Sequence, residues 1–129
     1  MNIVFIFSNH YTSAVETYDE KIVGGEETVP NQYPWMVRLE LGYWSGYIAH
    51  CGGTLISERW VLTAAHCTYG AVNITIVLGA HDISGSRPNT QTYSVVPSAI
   101  IVFPDWIWGV VEDDIALIQL PQTVSFSGL

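Results

Sequence analysis

The chain has 129 residues and is 49% hydrophobic, the size and composition of one domain with a real core rather than a disordered segment. Twelve acidic residues against four basic ones give a formal charge of −8, which argues against nucleic acid or an anionic membrane as the main partner. No apolar run approaches the roughly 18 residues of a membrane-spanning helix.

The first segment, "MNIVFIFSNHYTSAVETYDEK" (1–21), has the outline of a leader without its usual parts. No Lys or Arg precedes the apolar stretch, and that stretch, 3–7, is shorter than the roughly 7–15 residues of a normal signal core. It reads as a leader and pro-segment with a weak or incomplete signal peptide; the alternative reading is a shortened or mis-assigned start. From there the chain is a series of short apolar or alternating runs: "WMVRLEL" (35–41), "GGTLIS" (52–57), "RWVLTAA" (59–65), "VNITIVLGA" (72–80), "QTYSVVPSAIIV" (91–102) and "DIALIQL" (114–120). In the first, Trp35, Val37, Leu39 and Leu41 fall on one face and Met36, Arg38 and Glu40 on the other, the period of two expected of a half-buried strand. "NITIVLG" is β-branched and too short for a stable helix. Gly24-Gly25, Pro30, Pro34, Gly42, Gly52-Gly53, "SGSRPN" (84–89), Pro97, Pro104 and Pro121 punctuate the runs. About six short strands separated by turns predict an all-β sandwich or barrel, with at most one helical turn near 64–69. The end, "PQTVSFSGL" (121–129), carries no closing element.

Cys51 and Cys67 enclose residues 52–66. Closing a loop of that length would stabilise the chain by roughly 3 kcal/mol. On spacing alone, pairing and two buried free thiols are both open. Their separations from His50 and His66 follow no known zinc pattern, so no metal site is expected. His66 stands among small apolar residues in "WVLTAAHC" (60–67). An imidazole can exchange protons near neutral pH, but to act as a base it must be held in one tautomer, usually by an anion. Asp114, at the head of an apolar strand, is the candidate anion. Taken singly, His66 reads first as a structural histidine and Asp114 as a strand-opening turn residue.

Five segments occur in order: "IVGG" (22–25), "CGGTLIS" (51–57), "WVLTAAHC" (60–67), "IVLGAH" (76–81) and "DIALIQL" (114–120). Together they resemble the chymotrypsin-like serine endopeptidases, over 22 to about 120. The resemblance implies that residues 22–129 form an antiparallel six-stranded barrel, the first of that family's two, after a leader and activation segment at 1–21. It implies that His66 is the general base, that Asp114 orients it, and that Cys51 and Cys67 form the disulfide anchoring the histidine. Asp113 and Glu112 belong to the preceding loop. "YDEKIVGG" (18–25) matches an activation site cut between Lys21 and Ile22 by a trypsin-like protease, freeing an Ile22 ammonium to pair in the core.

The family's Gly-Asp-Ser-Gly-Gly-Pro segment, which carries the nucleophile, has no counterpart in this sequence. The resemblance therefore implies a secreted zymogen represented by its N-terminal half, inactive alone, with protein or peptide substrates and protein protease inhibitors as partners. The competing reading is a non-catalytic, single-barrel binding or decoy protein. "NIT" (73–75) is an N-glycosylation sequon at Asn73, usable in a secreted chain. Trp106 and Trp108 in "DWIW" (105–108) are placed by the family either to line substrate subsites or to pack a loop. Family members that bind calcium use acids near the positions of Ala80 and Thr90, and those acids are missing here, so no metal or cofactor is expected.

Overall fold

The computed structural model describes residues 26–81 and 90–125; the leader, Lys21, Ile22 and the "SGSRPN" segment lie outside them. Seven strands form one antiparallel sheet: β1 (Met36–Gly42), β2 (Ile48–Ser57), β3 (Trp60–Thr63), β4 (Asn73–Leu78), β5 (Gln91–Val95), β6 (Ile100–Val102) and β7 (Ala116–Gln119), in the order β5-β4-β1-β2-β3-β7-β6. A four-residue helix, α1 (Ala65–Thr68), follows β3. The expected six runs become seven strands because Pro97 divides the fifth. Proline has no N–H to donate to a ladder, and a short 3-10 turn at Pro97–Ala99 separates β5 from β6.

That division also forces the sheet to curl. β5 and β6 are its two edges, yet only residues 96–99 lie between them. Five Cα steps span at most about 18 Å, whereas six strand spacings of about 4.8 Å would set the edges of a flat sheet about 29 Å apart. The sheet therefore rolls into a barrel. Gln91 at the start of β5 adds a further tie: its amide donates to the Ser125 carbonyl at 2.6 Å and accepts from the Ser125 N–H at 3.1 Å.

Inside the roll, alternate residues supply the core. Val37, Leu39 and Leu41 of β1 meet Ile74, Ile76 and Leu78 of β4, with Leu55, Val61 and Ile118 from the other wall; all are buried. The alternation read in β1 holds for these three, but Trp35 departs from it and is 48% exposed. The strand starts at Met36, so Trp35 sits in the preceding turn with its ring edge-on to Tyr33. In the β2–β3 hairpin the two backbones pass close together at Gly53. A Cβ on Gly53 would lie 2.9 Å from Val61 Cγ1 and 3.1 Å from the Leu62 carbonyl oxygen, so only glycine fits without displacement. The tip of that hairpin holds the far end of β7: Arg59 donates from Nε and Nη2 to the Leu120 carbonyl and from Nη2 to that of Pro121.

Candidate active site

Register explains how two residues 48 positions apart come together. β3 and β7 run antiparallel, with Thr63 opposite Ala116. The chain leaving β3 and the chain entering β7 therefore emerge at the same end of the barrel. His66 lies three residues beyond Thr63 and Asp114 two residues before Ala116. Asp114 does not open the strand as expected but sits just outside it, after Asp113, whose φ of 57° turns the chain into β7. The Ile115 N–H closes this turn on the Asp113 carbonyl at 2.8 Å.

His66 rides on α1. Ala64 and Ala65 are buried against the barrel wall. The Thr68 hydroxyl donates to the Ala65 carbonyl at 2.9 Å and completes the single turn. Cys67 is buried and bonded to Cys51 on β2, so the pairing left open by spacing is a disulfide. A helix this short has little stability of its own; the disulfide and the Asp114 contacts hold it.

Both carboxylate oxygens of Asp114 engage His66. Oδ1 accepts the His66 backbone N–H at 2.8 Å, and Oδ2 lies 2.5 Å from Nδ1. An ionised carboxylate only accepts, so this contact assigns the imidazole proton to Nδ1 and leaves Nε2 as the basic nitrogen of the neutral ring. Nε2 is 3.6 Å from Cys67 Sγ. The Asp114 side chain is 18% exposed and that of His66 40% exposed, so the carboxylate is sheltered while the ring faces outward. A base with one fixed tautomer and one open side is what proton transfer to and from an external group requires.

Trp106 and Trp108 gather beside α1 with Tyr69, which the sequence reading did not single out. Tyr69 stacks on Trp108 at 4.6 Å between ring centroids and meets Trp106 edge-on at 5.9 Å. The only available signal for Tyr69 was its place three residues after His66. Trp106 Nε1 is buried with no hydrogen-bond partner among the described residues. Asn73 begins β4, is exposed, and lays its side chain over Gly42, in the space a Cβ there would occupy. His81 pairs with Glu27 at 2.9 Å, linking the segment after β4 to the start of the described chain. No helix among the described residues is long and apolar enough to cross a membrane.

The family model described as "Trypsin" matches residues 22–128. The chain is 35% identical over 128 residues to chymotrypsin-like elastase family member 1 of Canis lupus familiaris, covering 96% of this chain and 48% of that protein. It is 32% identical over 124 residues to the protein of the same name in Bos taurus, with 95% and 46% coverage. A solved structure described as "Structure of GrC" superposes with a TM-score of 0.70 at 33% identity, covering 79% of this chain and 43% of that one. The chain thus spans about half the length of the curated relatives it matches, at 48% and 46%.

Proposed function

The chain belongs to the trypsin family of serine-type endopeptidases, and on that premise we propose that it supplies the base and its orienting carboxylate to a peptide-bond-cleaving enzyme. The observation that carries this is the two-point grip of Asp114 on His66, through the backbone N–H and through Nδ1. In this reading His66 Nε2 takes the proton of an attacking serine hydroxyl and later gives it to the leaving amine. Asp114 keeps the tautomer fixed and stabilises the imidazolium that forms between the two steps. The serine and the oxyanion donors come from sequence outside these 129 residues, so the chain alone is inactive. A binding or decoy role would not require the histidine and the carboxylate to meet in this way.

The remaining roles follow from the family premise. Residues 1–21 form a leader and activation segment, and residues 22–129 form the first barrel of the catalytic domain. Cleavage between Lys21 and Ile22 by a trypsin-like protease activates the enzyme, which is secreted, acts on protein or peptide substrates and meets protein protease inhibitors. Asn73, exposed at the start of β4, carries a glycan. Trp106 and Trp108 line substrate subsites; the 58% exposure of Trp108 supports this.

Reading the transcript past Leu129 and finding a Gly-Asp-Ser-Gly-Gly-Pro segment is the first test. In the protein that contains it, His66→Ala should lower kcat by roughly 10⁴- to 10⁶-fold with folding intact. A loss of less than tenfold in steady-state assays would remove His66 from the role of base.

A further inference from the structure

We infer that the Tyr69–Trp108 stack beside α1 selects a basic side chain of the substrate, seating a lysine ammonium or an arginine guanidinium on the outer face of Trp108. This rests on the endopeptidase reading and names the side-chain class that its subsite takes. Tyr69 and Trp108 lie nearly parallel, with planes 15° apart and centroids 4.6 Å apart. Trp106 stands across both, 5.9 Å from Tyr69 at 67° and 6.0 Å from Trp108 at 82°. A ring laid on the outer face of Trp108 would sit roughly 9 Å or more from Tyr69, given the usual spacing of aromatic pairs. Trp106 is therefore at the side of the stack and leaves that outer face uncovered. Exposure agrees: Trp108 and Tyr69 are exposed, whereas Trp106 is half-buried and keeps its Nε1 out of solvent.

An open indole face attracts cations. The ring quadrupole puts negative charge on the face, indole is the strongest such site, and a cation within about 6 Å of the centroid is held there. The planar guanidinium of arginine can also lie flat on the ring. An apolar side chain would gain from the same face by burial alone, so the charge around the stack decides between them. Asp105, Glu112 and Asp113 are exposed in the same loop as Trp108, and the Phe103 N–H closes that loop at its base by donating to the Ile115 carbonyl at 3.0 Å. The Asp105 Cα is three Cα steps from that of Trp108, at most about 11 Å. None of the three carboxylates enters an ion pair among the described residues. Residues 104–114 include no lysine, arginine or histidine. Of the arginines in the described residues, Arg59 is held by carbonyls at the far end of β7, and Arg38 pairs with Glu40 on β1. A cation on Trp108 thus meets an aromatic face beside carboxylates that nothing neutralises, and an acidic side chain is repelled.

The same elements carry the stack and the base. Tyr69 follows α1 directly, three positions beyond His66, and the loop bearing Trp106 and Trp108 leads into Asp114, which grips His66. A peptide lying along His66 passes the stack on one side. The formal charge of −8 acts in the same sense at longer range, drawing basic peptides toward the chain.

The test uses the 129-residue chain and acetylated, amidated Ala-X-Ala tripeptides in which X is arginine, citrulline or norleucine. Citrulline keeps the shape of arginine without its charge, and norleucine keeps an alkyl stem alone. NMR titration of the Trp108 indole resonances gives each Kd. The arginine peptide should bind about 3- to 30-fold more tightly than the other two, and the ratio should shrink at about 1 M salt. Trp108→Leu should make the three peptides equal. Asp105→Asn with Glu112→Gln, both at exposed positions, should lower the ratio and its salt dependence without changing the circular dichroism spectrum. Norleucine binding as tightly as arginine would overturn the inference, as would an arginine preference that survives Trp108→Leu or Trp108 resonances that no peptide shifts. His66→Ala separates this inference from the endopeptidase reading, because it should leave the arginine preference of the chain intact while abolishing cleavage by the enzyme that contains the nucleophile. An active protease whose Trp108 is indifferent to X would sink the basic subsite alone. A chain that prefers arginine but belongs to no peptide-cleaving enzyme would sink the endopeptidase reading and leave the stack as a site for basic peptides.

Discussion

At the scale of single residues, the proposed role of His66 as a base rests on which of its nitrogens carries the proton. Asp114 decides this because a carboxylate accepts and cannot donate. Asparagine at 114 keeps a carbonyl oxygen for the His66 N–H but can turn an amide N–H toward Nδ1, which then becomes the acceptor and leaves the proton on Nε2. Asp114→Asn should therefore preserve the barrel while exchanging the tautomer. Imidazole ¹⁵N chemical shifts would read Nδ1–H in the wild type and Nε2–H in the variant; identical spectra would remove Asp114 from its orienting role. In the enzyme that contains the nucleophile, the same change should lower kcat by about 10⁴-fold, as a wrong tautomer does in triads of this kind. Gly53 matters at the same scale for a different reason. Gly53→Ala forces Val61 and the Leu62 carbonyl to give way, at a cost of about 1–3 kcal/mol measured by denaturant unfolding. A neutral result would mean that the β2–β3 approach is looser than the 2.9 Å contact indicates.

At the scale of elements, the short helix α1 is the part least able to stand alone. Its ties are the disulfide to β2, the Thr68 hydroxyl bond and the Asp114 contacts. Replacing both cysteines by alanine should cost about 3 kcal/mol, read as a lower unfolding midpoint with a steeper denaturant slope, because the uncrosslinked chain exposes more surface when it unfolds. If stability stays within a few tenths of that of the wild type, the disulfide is not what anchors the histidine segment. The strands themselves were legible in the residues, since β1 and β4 alternate or run β-branched between turn signals. Less was legible where the pattern stops being periodic. β2 begins at Ile48, four residues ahead of the "GGTLIS" run, because pairing with β1 rather than burial holds that end. Pro97 reads in the sequence as punctuation, but its consequence, two strands on opposite edges of a curled sheet, appears only in three dimensions. The meeting of His66 and Asp114 depends on the β3–β7 register, which no local pattern encodes; the motifs pointed to it through family resemblance alone.

At the scale of the whole molecule, the barrel carries more apolar surface than its own core consumes. Ile101, Phe103 and Ile115 are 56%, 42% and 43% exposed and border a groove of about 210 Å³ with Leu62 and Leu117 at its base. Exposed patches of this kind drive association unless charge opposes it. Here charge does oppose it: −8 on 129 residues gives each copy a like-signed field. The two effects differ in range. Burial acts only at contact, whereas repulsion is cut to a screening length of about 8 Å at 0.15 M salt and about 3 Å at 1 M. The isolated chain should therefore be monomeric at low ionic strength and self-associate as salt rises, the opposite of an assembly held by ion pairs. Sedimentation velocity across a salt series would show it. Ile101→Thr with Ile115→Thr should shift the onset to higher salt, because both replacements stay β-branched, as suits Ile101 in β6, while removing apolar area from the groove. If the double variant associates at the same salt concentration as the wild type, the sticky face lies elsewhere, and the exposed aromatic side chains of the β1–β2 hairpin, Trp44 and Tyr47, become the surface to change next.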